Sequence, residues 1–308
     1  MAGYIEEFFG RRVQGNCRYA REDALKEYCP FIKARCRKIL PRQGIRSGVC
    51  AVRQKTPNSP CVICCPTRLY ADGYSLLRQI AVDAFHQDLK LYPSQEAVDR
   101  AKCEGGAIAV FGHGWGRELR LPQRNTMGSY YVDWVLALLG TNGELLEITA
   151  VEVQTIDTTG SYAAARKSLI EQQEQISDTV GLNWENVSKR IIPQIIYKGQ
   201  VLQREDLCRN GLYFVAPLPV YERVLKRLGG KAALPSFPSQ PAAIHFIAYD
   251  YVYNDSRTAE EEKLGIIERH TTTVFKIQEA FSSLTLPEGN VYRAAIEKSL
   301  YNGATTSE

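Results

Sequence analysis

The stretch that decides the fold runs from Tyr130 to Gln154 and reads YYVDWVLALLGTNGELLEITAVEVQ. Two apolar runs, Tyr130 to Leu139 and Leu145 to Gln154, flank Thr141-Asn142-Gly143, a strong turn signal, so the segment is expected to fold as a β-hairpin. Each run carries one acid, Asp133 in the first and Glu152 in the second. Both lie well back from the turn on adjacent strands, where they can meet on one sheet. Glu152 and Gln154 are two residues apart and share a face of their strand.

A carboxylate in a buried strand is costly unless it is paired or holds a metal. Two carboxylates and an amide oxygen make a hard, oxygen-rich site suited to Mg²⁺. Such a site can polarise a phosphate, generate hydroxide and hold an in-line displacement at phosphorus. The plainer reading of the same pattern is two edge-strand acids that face solvent. Glu118 follows the glycine-rich turn Gly112-His113-Gly114-Trp115-Gly116 and is either a further ligand and orienter or an exposed acid beside Arg117 and Arg120. His113, between glycines, reads as a loop residue rather than a base. Asp157 reads as an acid at a helix N-terminus.

Outward from the hairpin, strands and helices alternate, which predicts an α/β fold with a mixed sheet. Apolar spacing predicts helices over Gly73 to Leu89, Ser94 to Lys102 and Pro219 to Leu228. Thr158-Thr159-Gly160-Ser161 caps a further helix over Tyr162 to Thr179. Strands are expected over Ala107 to Phe111, Glu118 to Leu121, Ile191 to Tyr197, Gly211 to Ala216 and Ile244 to Tyr253. Gln194 falls in one of them. Glu260 to Glu268 and Thr272 to Ser282 read as helical. No repeats or low-complexity tracts occur.

The 308 residues are ample for a sizeable core, and 44% hydrophobic and 23% charged residues give an ordinary globular balance. The formal net charge of +4 is too mild to identify a nucleic-acid binder by itself. No apolar run is long enough to cross a bilayer, and Met1 to Gln14 lacks the apolar core of a secretory signal, so a cytoplasmic location is expected. Thiols stay reduced there. Of the nine cysteines, Cys17, Cys29, Cys36, Cys50, Cys61, Cys64 and Cys65 crowd the first quarter of the chain. That clustering points to a metal site. Cys29, Cys36, Cys50 and Cys65 sit beside proline and glycine in frames that suit converging sulfurs. Four thiolates bind zinc or iron, and Cys17, Cys61 or Cys64 can replace one of the four. Residues Gly3 to Arg68 are expected to form a loop-rich module stapled by that ion. Arg35, Arg37, Lys38, Arg42 and Arg46 form a basic run between its ligands, either a DNA contact surface or a solvated face.

Several blocks, in this order, resemble the NotI family of type II restriction endonucleases. They are Cys29-Pro30-Phe31 with Cys36, Gly48-Val49-Cys50, Cys65-Pro66, Trp115-Gly116-Arg117-Glu118, Ser129 to Trp134, Glu152 to Gly160, and Pro193-Gln194-Ile195-Ile196. They span about the first two-thirds of the chain. The resemblance implies a PD-(D/E)XK, restriction-endonuclease-like mixed sheet flanked by helices over residues 71–308. It implies a four-cysteine, iron-binding module with DNA contacts over residues 1–70. It also implies a homodimer that cuts double-stranded DNA at a palindromic site with Mg²⁺ on Asp133 and Glu152. Gln154 stands where most of that superfamily has lysine, and glutamine can orient water but cannot donate a proton as a cation. The rival reading is a DNA-binding protein that keeps this fold and module but does not cut.

Overall fold

The computed structural model describes residues 2–13, 17–40, 44–112, 114–119, 131–252, 263–283 and 289–301. In chain order it opens with β1 (Gly3–Phe8), β2 (Arg11–Arg12), α1 (Cys17–Lys26), β3 (Tyr28–Cys29), β4 (Ala34–Arg35), β5 (Val49–Gln54) and β6 (Cys61–Ile63). A 3₁₀ turn, Pro66–Tyr70, leads to α2 (Ala71–Phe85), β7 (Leu91–Pro93), α3 (Ser94–Glu104) and β8 (Ala107–Gly112). The hairpin strands are β9 (Trp134–Leu139) and β10 (Leu145–Val153). Then come β11 (Thr158–Thr159), α4 (Ala163–Glu171), β12 (Gly181–Leu182), α5 (Ile192–Leu202), β13 (Leu212–Pro217) and α6 (Leu218–Arg227). The last elements are β14 (Ala243–Val252), β15 (Lys263–Thr273), α7 (Val274–Ser282) and α8 (Val291–Tyr301).

The expected hairpin forms. Strands β9 and β10 pair antiparallel from Leu139–Leu145 to Trp134–Val151. The turn closes with the Gly143 N–H on the Gly140 carbonyl at 2.9 Å, and Gly143 has φ +82°. The hairpin sits inside a seven-stranded mixed sheet of order β15-β14-β13-β10-β9-β8-β7. Within it β10, β13 and β14 run parallel, and β15 returns antiparallel. Period-two alternation divides β10 between two cores. Val151 and Val153 pack with α2 on one face, while Ala150 packs with α5, α6 and α7 on the other.

Four expectations fail. Ile191 to Tyr197 is not a strand: Ile192–Leu202 is helical and follows a π-helical turn at Val187–Ile191. Pro193 suits a helix's first turn, and Ile192, Ile195, Gly199 and Leu202 form a buried helical stripe that a seven-residue window hides. The described part of Glu260 to Glu268 is not helical but lies in edge strand β15, whose charges keep that edge from pairing with other chains. Helix α4 stops at Glu171 instead of Thr179, and Gln173 then takes φ +59°. Glu118 is not in a strand.

The first quarter of the chain also holds more regular structure than expected. A four-stranded sheet, order β2-β1-β5-β6, packs Ile5, Phe8, Val49, Val52 and Val62 into the same core as Val180, Leu182 and Ile195. Buried Glu7 ties it to the main sheet. Its carboxylate accepts from Arg68 Nε and from the Tyr251 hydroxyl, both at 2.8 Å. Arg68 also lies over the Phe31 ring at 4.4 Å. No helix among the described residues is long and apolar enough to cross a membrane.

Candidate active site

The hairpin register brings the two predicted acids together. Asp133 is one residue before β9, and its Oδ2 accepts the Val153 N–H at 2.8 Å, so its carboxyl is held across the end of β10. Glu152 is 6% exposed and shares the sheet face of Ala150, toward α5. There it meets a residue that the sequence reading missed: Lys198 of α5, itself buried, places Nζ 2.5 Å from Glu152 Oε1. The other oxygen, Glu152 Oε2, is buried with no hydrogen-bond partner.

These contacts set the protonation of the site. Burial pushes the Glu152 carboxyl up to about 7; the Asp133 charge adds to the rise, and Lys198 opposes it. Asp133 keeps an open side to solvent. Its pKa is also raised, first by desolvation, with the Val153 N–H and Lys198 pulling it down and the Glu118 charge pushing it up.

Gln154 lies just past β10 and is half-buried. Its N–H donates to the Val215 carbonyl at 2.8 Å and its Nε2 donates to the Thr155 carbonyl at 2.8 Å. Glu118 is exposed. The turn before it presses close to β8: Gly116 has φ +85°, and a Cβ there would stand 2.1 Å from the Val110 carbonyl oxygen. Only glycine fits, which fixes where the Glu118 segment leaves the sheet. His113 lies outside the described residues. Asp157 starts no helix; it accepts from Asn186 Nδ2 at 2.8 Å and pairs with Arg190 at 3.3 Å. Gln194 is half-buried on α5, on a helix rather than a strand.

An aromatic group borders the acids. Tyr70 and Tyr74 pack edge-on to Trp134, next in sequence to Asp133, and Tyr74 lies 4.5 Å from Trp115. Tyr74 is delivered by a left-handed stretch, Asp72, Gly73 and Tyr74, with φ of 55°, 64° and 62°.

The four predicted cysteines, Cys29, Cys36, Cys50 and Cys65, are all buried. Burial raises the thiol pKa of Cys29, to which Cys36 adds, and of Cys50, to which Cys65 and Cys29 add, so these sulfurs lie within electrostatic reach of one another. Burial likewise lifts Cys65, to about 11, against the pull of Lys38. Cys64 is buried beside them, its N–H on the Cys50 carbonyl at 2.9 Å and its Sγ 3.7 Å from Lys38 Nζ. Cys61 is half-buried, and the side chain of Cys17 lies outside the described residues. Among the described residues no three His, Cys, Asp or Glu side chains stand in a metal-holding group. In the basic run, Arg35 pairs with Glu27, Lys38 turns inward to Cys64, and Arg42 lies outside the described residues.

The sequence held one signal for Lys198. Once Ile192 to Leu202 is read as a helix, Lys198 falls on the buried stripe with Ile195 and Leu202, and a lysine there needs an acid. Compared with known proteins, the chain matches no protein-family model and no curated sequence.

Proposed function

We propose that the chain is an Mg²⁺-dependent endonuclease that hydrolyses phosphodiesters of double-stranded DNA, of the restriction type. The observation that carries this reading is Glu152: a buried carboxylate with one oxygen on Lys198, the other without a partner, and Asp133 beside it. An orphaned buried oxygen is costly, and a hard cation shared with Asp133 satisfies it. The donor set therefore fits Mg²⁺, held by Asp133 and Glu152. Bound there, the ion supplies charge stabilisation at the phosphate and an acidified water.

The protein's own groups do the rest. The Val153 N–H fixes Asp133, and Lys198 fixes Glu152 and balances its charge in a site where Gln154 carries none. Glu118 stands near enough for its charge to act on Asp133, so it serves the same site as a further ligand or an orienter. The ordered sequence blocks that resemble the NotI family support a restriction-endonuclease-like core, a homodimer and a palindromic target. The buried thiols Cys29, Cys36, Cys50 and Cys65 suit a structural ion in the N-terminal module, with iron favoured by the resemblance and zinc fitting the same ligands.

The test is cleavage of supercoiled plasmid, with Mg²⁺ and with EDTA. The wild type is expected to give linear product only with Mg²⁺. Glu152→Ala and Asp133→Ala are each expected to lose several kcal/mol of transition-state stabilisation, roughly 10³-fold in rate, while still binding DNA. Full cleavage by Glu152→Ala overturns the assignment. Binding without cutting by the wild type favours the rival DNA-binding protein.

A further inference from the structure

A second charged site lies at the same sheet end and on the same face as Glu152. It is an open cavity of about 430 Å³ between the Trp184 to Ser188 segment and the exposed side of α6. Arg223, Lys226 and Arg227 form one wall, at helical spacing that turns all three inward. The opposite wall presents Trp184, with the Arg223 guanidinium 5.5 Å from its ring centre. Arg227 is anchored: its Nε donates to Ser188 Oγ at 2.5 Å and it lies over Phe281. The one acid on the lining, Glu185, is neutralised by Lys189, and Glu222 of α6 does not line the cavity.

Both walls hang from the strand ends that build the candidate active site. The Asn183 N–H donates to the Asp157 carbonyl at 2.9 Å, three residues beyond Gln154, and Asn186 holds the Asp157 carboxylate. Helix α6 starts where β13 stops, and β13 runs parallel to β10 with Val215 opposite Val153. Val220, Val224 and Leu228 of α6 share a core with Ala150 and Ile195, on the face to which Glu152 points.

We infer that this cavity holds a backbone phosphate of duplex DNA next to the catalytic carboxylates, with Arg223 and Lys226 as its cations and Trp184 packed on the adjoining sugar. The inference rests on the DNA-binding part of the proposed function. Three cations against one neutralised acid select an anion, and a phosphate contact positions the duplex without reading its sequence.

The experiment measures binding of a fluorescent duplex of arbitrary sequence across a KCl series, with EDTA to prevent cutting. The double variant Arg223→Ala/Lys226→Ala is expected to bind at least ~10-fold more weakly at low salt. Its log Kd against log salt slope is expected to flatten by about 2, at about 0.9 per contact. Lys226→Glu alone is expected to weaken binding further than Lys226→Ala, and Arg100→Ala on α3 to leave the slope unchanged. Arg223 and Lys226 are exposed, so thermal melts of the variants should match the wild type. An unchanged slope in folded variants overturns the site. So does a wild-type melt raised by inorganic phosphate, lost in the double variant, with DNA binding unaltered, since the occupant is then free phosphate. Failure of the wild type to bind any duplex overturns this inference together with the proposed function. Loss of Mg²⁺-dependent cutting with the slope change intact removes the nuclease and leaves this site standing.

Discussion

The Glu152–Lys198 pair is a buried ion pair, and breaking one is costly because it strands the partner charge. Lys198→Met is expected to destabilise the metal-free protein by about 3 kcal/mol, and Lys198→Met with Glu152→Gln to recover most of that loss. Urea unfolding checks both; equal losses in the single and double variants would mean that the pair carries no coupling. The same residue gives the protein a pH dependence. In the folded chain Glu152 is held at about 7 against an ordinary 4.5, so between those values the folded state binds the extra proton. Its contribution to stability is therefore full below about pH 4.5 and is lost as pH rises through about 7. Metal works the other way, because it binds the deprotonated carboxylate, so Mg²⁺ affinity is expected to rise through neutral pH and level off above it. Urea midpoints and Mg²⁺ titrations on either side of neutrality read this out, and Glu152→Gln should flatten the stability slope.

At the scale of elements, the chain leaving β10 is held by a small structure whose geometry admits one residue. Gly160 closes the β11–β12 pair at φ +73°, and a Cβ there would stand 1.9 Å from the Thr179 carbonyl oxygen. Gly160→Ala is expected to cost about 2 kcal/mol or more and to displace the Trp184 to Ser188 wall along with Asp157. A melting temperature equal to wild type would show that this link is slack. The hairpin, with Asp133 and Glu152 on it, was legible because an Asn-Gly turn and two apolar runs fix both pairing and register. Lys198 was not, because the run Ile191 to Tyr197 is too short to separate a buried strand from a buried helix. Charged β15 read as a helix because an edge strand carries charge for a reason that alternation does not reveal. The four-stranded N-terminal sheet was hidden by its very short strands, and Glu7 by a partner, Tyr251, that lies 244 residues away in the chain.

At the scale of the whole molecule, the N-terminal sheet and the seven-stranded sheet are fastened through Glu7, Arg68 and Tyr251, beside the clustered thiols. A metal on Cys29, Cys36, Cys50 and Cys65 would then steady the surface that meets DNA without touching Asp133 or Glu152. Metal analysis of the pure protein is expected to find one iron or zinc per chain, and Cys36→Ser or Cys50→Ser to release it and weaken DNA binding first. A metal-free protein that is folded, active and specific would return the thiols to ordinary core residues. The central claim, hydrolysis of duplex DNA at one specific site by the Asp133 and Glu152 carboxylates, is tested most directly by digesting one large DNA of known sequence with Mg²⁺ and sequencing the fragment ends. The account predicts ends that share a single two-fold symmetric sequence, a double-strand break at each, and none with Glu152→Ala. Random ends, nicks alone, or the same ends from Glu152→Ala would contradict it.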